Sequence, residues 1–172
     1  VQGTAILPQF GAQDVMYTLL IMIITRELGP LLTAFIVAAR SGSAISTELG
    51  NMVVSHEVEA FVAVGINPVS YLAVPRVLGV ALSLLGLNIF FNIFGLLGSF
   101  VVVWIFQGLP FGEYLYNLAS KADIWMFISP FLKSIAFGLV IGTVSTYYGF
   151  QVKRATTEVP QKTIKAIGVS IV

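Results

Sequence analysis

The chain has 172 residues, of which 57% are hydrophobic and 10% charged, against about 25% charged in soluble domains. That composition points to a membrane protein and excludes an ordinary soluble domain. The formal net charge of +1 leaves no basic surplus for nucleic acid, and the absence of cysteine excludes disulfides and cysteine-ligated metals.

Residues 1–13 carry Gly3, Pro8 and Gly11 among polar groups and read as a loop that follows an earlier helix. The chain opens Val1-Gln2-Gly3 with neither Met nor a signal peptide, and an apolar pattern is starting at Ser170-Ile-Val172. Both ends predict an excerpt of a longer polytopic protein. The first span is expected at about 15–39. Near its middle stand Arg26 and Glu27, with eleven uncharged residues before the pair and twelve after it. Each charge costs roughly 2.5–3.5 kcal/mol at the centre of a spanning helix, so it normally faces a cavity or a partner. Neighbours on a helix point about 100° apart, which predicts that the two do not neutralise each other on one face and that each has its own role. Gly29-Pro30 predicts a break or kink.

Residues 40–76 hold Arg40, Glu48, His56, Glu57, Glu59 and Arg76 and read as an aqueous-facing connection. Entering it, Ala34, Ala38, Gly42, Ser46 and Gly50 recur every four residues. On a helix they form one smooth stripe that admits another backbone, either inside the bundle or at a subunit interface. Further on, Ser55 is placed as an N-cap, with Glu57 and Glu59 in the first turn of a short helix. Val58, Phe61 and Val62 give that helix an apolar stripe, Gly65 ends it, and Asn67-Pro68 starts another. Such an element can dock on a soluble partner or rest on the membrane surface. Its acidic face is a poor match for anionic lipid.

The second span is expected within 77–106, in the charge-free run from Val77 to Gly112, which exceeds the roughly 20 residues needed to cross a bilayer. Asn88, Asn92, Gly95 and Ser99 share one face of it and suit hydrogen bonds between helices. Residues 107–123, with Pro110, Gly112, Glu113, Lys121 and Asp123, read as a loop. The third span is expected at about 124–150 and contains Pro130 and Lys133. Residues 151–165 read as a basic loop. The connections at 40–76 and 151–165 together carry six Lys and Arg, and 107–123 carries one. The positive-inside rule therefore places the first two in the cytoplasm.

Lys133 either snorkels to the interface or faces a cavity in which Glu27 or an anionic ligand stabilises it. His56 has no second ligand at metal-binding spacing. No GxxxxGK[ST] loop occurs, so nucleotide hydrolysis is not expected from this chain, and no nucleophile–base constellation is visible.

The strings Arg26-Glu-Leu-Gly-Pro30, Ala39-Arg-Ser-Gly-Ser-Ala44, Thr47-Glu-Leu-Gly50, Glu59-Ala60, Gly65-Ile-Asn-Pro68, Tyr71-Leu72 and Val74-Pro-Arg76 resemble the MlaE-type permeases. These are the membrane subunits of bacterial ABC systems that move phospholipid between inner and outer membranes. Gln2-Gly3, Lys133-Ser134 and Gly149 to Thr157 extend the likeness. The resemblance implies an all-α polytopic transmembrane bundle, partial in this chain, that works as a homodimer in the bacterial inner membrane. It implies a cytoplasmic ABC ATPase that supplies the ATP and Mg chemistry, with no cofactor in this chain, and an MCE-domain ring on the outer face. The family's coupling helix maps onto about 54–65, which assigns His56, Glu57, Glu59 and Phe61 to the ATPase. Arg26, Glu27 and Lys133 map beside the lipid cavity, and Ala34, Ala38, Gly42 and Ser46 are expected at a packing or dimer face. The family often has Thr-Glu-Gln where this chain has Ser55-His56-Glu57, and Asp at Glu59, so the ATPase contact differs in detail. The resulting expectation is a phospholipid permease in which Glu27 meets Lys133 and Arg26 meets a phosphate. A scaffold for the ATPase and ring, and an ion or proton channel, are the alternatives.

Overall fold

The computed structural model describes residues 22–108, 110–121, 124–153, 155 and 157–171. The loop expected at 1–13 and the start of the first span lie outside the described residues. Among those residues every regular element is helical.

A π-helical stretch, Met22–Leu28, leads into α1, Gly29–Val37; a second, Ala38–Gly42, leads into α2, Ser43–Val54. The short α3, Glu57–Ala63, is followed by a third wide turn, Val69–Ala73, and by the long α4, Val74–Gln107. Then come α5, Phe111–Lys121, α6, Ile124–Phe150, and α7, Glu158–Ile171. Among the described residues, three helical stretches are long and apolar enough to cross a membrane: Arg26–Val54, Val69–Ile105 and Ile128–Phe150. The fold is all-α and multi-pass.

Three segments differ from their sequence reading. The first helical stretch does not stop at 39 but runs to Val54. Small residues carry no stop signal of their own there, and the Ser43 hydroxyl donates back to the Ala39 and Arg40 carbonyls instead of capping a new start. The loop expected at 107–123 contains α5, whose Phe111, Tyr114, Leu115 and Leu118 follow the i, i+3, i+4, i+7 spacing of an amphipathic helix. The basic loop expected at 151–165 becomes α7 from Glu158 onwards. Pro160 is tolerated in its first turn, and Val159, Thr163 and Ala166 are buried on one face.

The chain divides into two compact units, Val1–Leu31 with Asn88–Leu132, and Leu32–Leu87 with Lys133–Val172. In the first, Val103 and Tyr114 pack with Phe100 and Leu118. The Tyr114 hydroxyl lies 2.6 Å from the Ser99 hydroxyl and donates to the Leu96 carbonyl at 3.1 Å. Asn88 is fully buried; its amide donates to the Pro130 carbonyl at 3.4 Å and its oxygen accepts from Asn92. The Asn88–Ser99 face thus ties α4 to α5 and α6 with polar side chains; the Asn92 side-chain oxygen is the one atom of this set that is buried without a hydrogen-bond partner.

In the second unit Val37, Ala38, Val80, Leu84 and Ile141 form the core, with Ala34 and Ile45 against it. Helices here approach to backbone distance. A Cβ built on Gly138 would lie 2.5 Å from the Ala81 Cα, and one on Gly142 would lie 2.9 Å from the Val77 Cα. Where lipid tails are as apolar as leucine, close packing of this kind holds helices together.

Candidate functional site

The segment between α2 and α4 is built from three local stop and start signals. Ser55 ends α2 and does not begin α3, correcting its reading as an N-cap. Its hydroxyl donates to the Asn51 carbonyl at 2.6 Å, one turn back, so the side chain is already used. His56 follows in the left-handed conformation, φ 62°, a position that reverses the chain and that non-glycine residues seldom occupy. Its Nδ1 sits 2.9 Å from the Glu59 carboxylate, and its carbonyl accepts from the Ala60 N–H. After α3, Gly65 takes φ 80°. The Ile66 N–H donates to the Phe61 carbonyl and the Gly65 N–H to the Val62 carbonyl, the paired bonds of a Schellman stop. The Asn67 side chain then accepts from the Val69 N–H at 2.9 Å and starts the next helical segment behind Pro68. That segment is not a separate short helix: it continues into α4.

The base of this hairpin is closed. Arg76, near the start of α4, donates to the Glu48 carboxylate of α2 at 2.7 Å and to the Leu72 carbonyl at 3.4 Å. The Arg76 side chain is 20% exposed and that of Glu48 61%. The tip is open. Glu57 and Glu59 are exposed in the first turn of α3, and Val62 and Val64 are 60% and 71% exposed. Phe61 packs on Tyr71 with ring centroids 5.4 Å apart. With Glu57, Ala60, Val64 and Ile66 it lines a hollow of 340 Å³. An acidic rim around an apolar hollow on a short, well-stopped helix suits a protein partner with a complementary basic and apolar knob.

The charges at Arg26 and Glu27 stand differently from their sequence reading. The Arg26 Nε and a Glu27 oxygen are 3.5 Å apart, so the pair does meet. Both lie in the π-helical stretch Met22–Leu28. Its i→i+5 winding turns successive residues through a smaller angle than an α-helix does, and it ends two residues before Pro30, whose ring needs room against the preceding turn. A single ion pair is a cheaper intramembrane load than two separate charges. Lys133 is half-buried on α6 beside the buried Ser134.

The small-residue ladder is occupied within its own unit. A Cβ on Gly42 would stand 2.9 Å from the Ser145 Oγ, and one on Gly50 3.0 Å from Val152 and 3.3 Å from Val159. Ser46 presents its backbone to Gly149, where an added Cβ would lie 3.1 Å from the Ser46 carbonyl oxygen. Ala38 is in the core, and Ala34 packs against it. The matching stripe on α6, through Gly138, Gly142, Ser145 and Gly149, was not singled out in the sequence, although its spacing is visible there.

A family model described as Permease MlaE matches residues 1–172. The chain belongs to the MlaE permease family. Among similar proteins, a probable ABC transporter permease protein of Rickettsia typhi is 28% identical over 92% of this chain and 61% of its own length. The protein TRIGALACTOSYLDIACYLGLYCEROL 1, chloroplastic, of Arabidopsis thaliana is 30% identical over 86% of this chain and 42% of its own. The intermembrane phospholipid transport system permease protein MlaE of Haemophilus influenzae is 24% identical over 96% of this chain and 64% of its own. This MlaE-family chain thus spans about three-fifths of the length of the first curated relatives it matches.

Proposed function

We propose that this chain is the membrane subunit of an ABC transporter that moves phospholipid between two membranes, and that α3 is its contact with a separate ATPase. The observation that carries the coupling role is the α2–α3–α4 hairpin, closed at its base by Arg76–Glu48 and presenting Glu57, Glu59 and the Phe61 hollow at its tip. The Lys and Arg asymmetry of the sequence supports a cytoplasmic position for it. Family membership and the name of the Haemophilus influenzae relative support the lipid substrate.

On this reading the permease works as a homodimer in a bacterial inner membrane, under an MCE-domain ring. ATP and Mg are handled by the ATPase. A push on α3 moves α2 and α4 together through their closed base and reshapes the lipid path. The Arg26–Glu27 pair and Lys133 are the charged groups such a path offers to a headgroup.

The test uses the full-length permease co-expressed with its ATPase. Glu57→Lys with Glu59→Lys should abolish co-purification of the ATPase and ATP-driven lipid transfer, while membrane insertion is unchanged. Undiminished ATPase binding would remove α3 from the coupling role. A native complex that holds its ATPase yet retains no phospholipid and transfers none would be a scaffold. Ion flux in liposomes without any ATPase would indicate a channel.

A further inference from the structure

Two hollows in the second unit share one residue, Gln151, and differ sharply in chemistry. The larger, 560 Å³, runs between the start of α4 and the end of α6, lined by Ala73, Val74, Val77 and Leu78 on one side and Tyr147 and Phe150 on the other. The smaller, 250 Å³, lies beyond α6, where Lys153, Lys162 and Lys165 surround Gln151, Glu158 and Gln161. Each is defined by side chains already held in place. The Lys162 ammonium donates to the Gln151 side-chain oxygen at 3.1 Å, fixing the residue common to both. The Glu158 carboxylate accepts from the Lys153 backbone N–H at 3.0 Å, so the pocket is lined by three lysines and one carboxylate that is already engaged.

The levels of the two hollows decide the occupant. The apolar one lies within the candidate spans, which begin at Val69 and end at Phe150; the basic one begins at the next residue. Hydrocarbon depth and headgroup depth therefore meet at Gln151, with Tyr147 at the border, where aromatic side chains favour the interface. Val74, Leu78 and Tyr147 are about half exposed or more, an apolar face that a chain of methylenes would cover. A basic pocket at a helix end on the Lys/Arg-rich side of a membrane protein suits an anionic headgroup. A zwitterionic headgroup would bring a further cation to three lysines.

We propose that this end of α4, α6 and α7 binds one anionic glycerophospholipid of the surrounding leaflet, with acyl chain in the α4–α6 groove and phosphate against Lys153, Lys162 and Lys165. The site does not depend on transport: it is a fixed lipid seat at the membrane boundary of this unit.

The full-length protein is placed in nanodiscs of phosphatidylcholine with a minor fraction of phosphatidylglycerol, extracted gently, and its retained lipid identified by native mass spectrometry. Phosphatidylglycerol should be enriched over its share in the disc. The triple variant K153Q/K162Q/K165Q should lower that enrichment by at least about tenfold, since each basic residue near the surface contributes a several-fold preference and the three multiply. The corresponding triple Arg variant should keep it. Thr143→Trp, which fills the groove from an exposed lining position, should reduce retained lipid while thermal stability is kept. Unchanged enrichment in the triple Gln variant overturns the proposal, and so does an equal loss in the Gln and Arg variants. Full retention in the Trp variant, or displacement of the lipid by millimolar glycerol phosphate alone, reduces the site to a simple anion pocket and overturns the lipid seat. Cross-linking of two copies through the groove, with no lipid retained, assigns it to a partner chain instead. A permease that fails to transport but keeps the enrichment leaves this inference standing.

Discussion

Hydrogen stands where a methyl group would not fit at Gly138 and Gly142, between α4 and α6. The Gly138 position is the tightest, 2.5 Å from an added Cβ to the Ala81 Cα, and neither backbone can step aside without shifting its helix. Gly138→Val should therefore cost about 1–3 kcal/mol, the range for overpacking, read as a lowered melting temperature in detergent. Gly79→Ala on the same α4 meets no atom within 4 Å. It should be neutral or stabilising by up to about 1 kcal/mol through helix propensity. The contrast separates close packing from a general dislike of larger residues. At Arg26 and Glu27 the residue scale corrected an inference drawn from ideal helical angles. Adjacent charges were expected to diverge, and the wider winding before Pro30 brings them within 3.5 Å.

At the scale of elements, α3 depends on its stops more than on its own seven residues, which are too few to hold a helix alone. Gly65→Val places a branched side chain at φ 80°, a conformation that costs roughly 1–2 kcal/mol, and removes the stop. Amide exchange should then speed up from Ala60 to Ile66 and stay unchanged within α4; equal protection throughout would show that the stop is dispensable. Much of this element was legible in the sequence: Gly65, Asn67 and Pro68 act as local chemistry predicts, because each signal is satisfied within a few residues. Ser55 was not, since one hydroxyl can serve the helix behind it or the helix ahead, and only the path of the chain decides. The same limit explains α5 and α7. Their charges and prolines resemble those of a loop, and what makes them helical is a buried face contributed by Tyr114 in one and by Val159, Thr163 and Ala166 in the other. The ladder from Ala34 to Gly50 announced a close approach. Naming its partner required knowing which helix lies opposite, and spacing along one strand of sequence carries no such address.

For the whole molecule, the charge-free run from Val77 to Gly112 was enough to place the long apolar α4, and the residue strings were enough to find the family, because both are properties of sequence alone. Orientation is the next property to test. In the full-length protein, rendered cysteine-free where necessary, single cysteines replacing Glu57 or Thr157 should react with an impermeant maleimide only after the cells are opened. One replacing Glu113 should react in intact spheroplasts. The reverse pattern would invert the topology and move α3 to the outer face. The closed base at Arg76 and Glu48 has a mechanical meaning for that arrangement. A hairpin with a loose base absorbs a load by bending at its own loop, and the displacement dies there. One riveted across its base behaves as a crank. On the proposed coupling role, torque applied at α3 would enter α2 and α4 together, and each would carry it along its own candidate span.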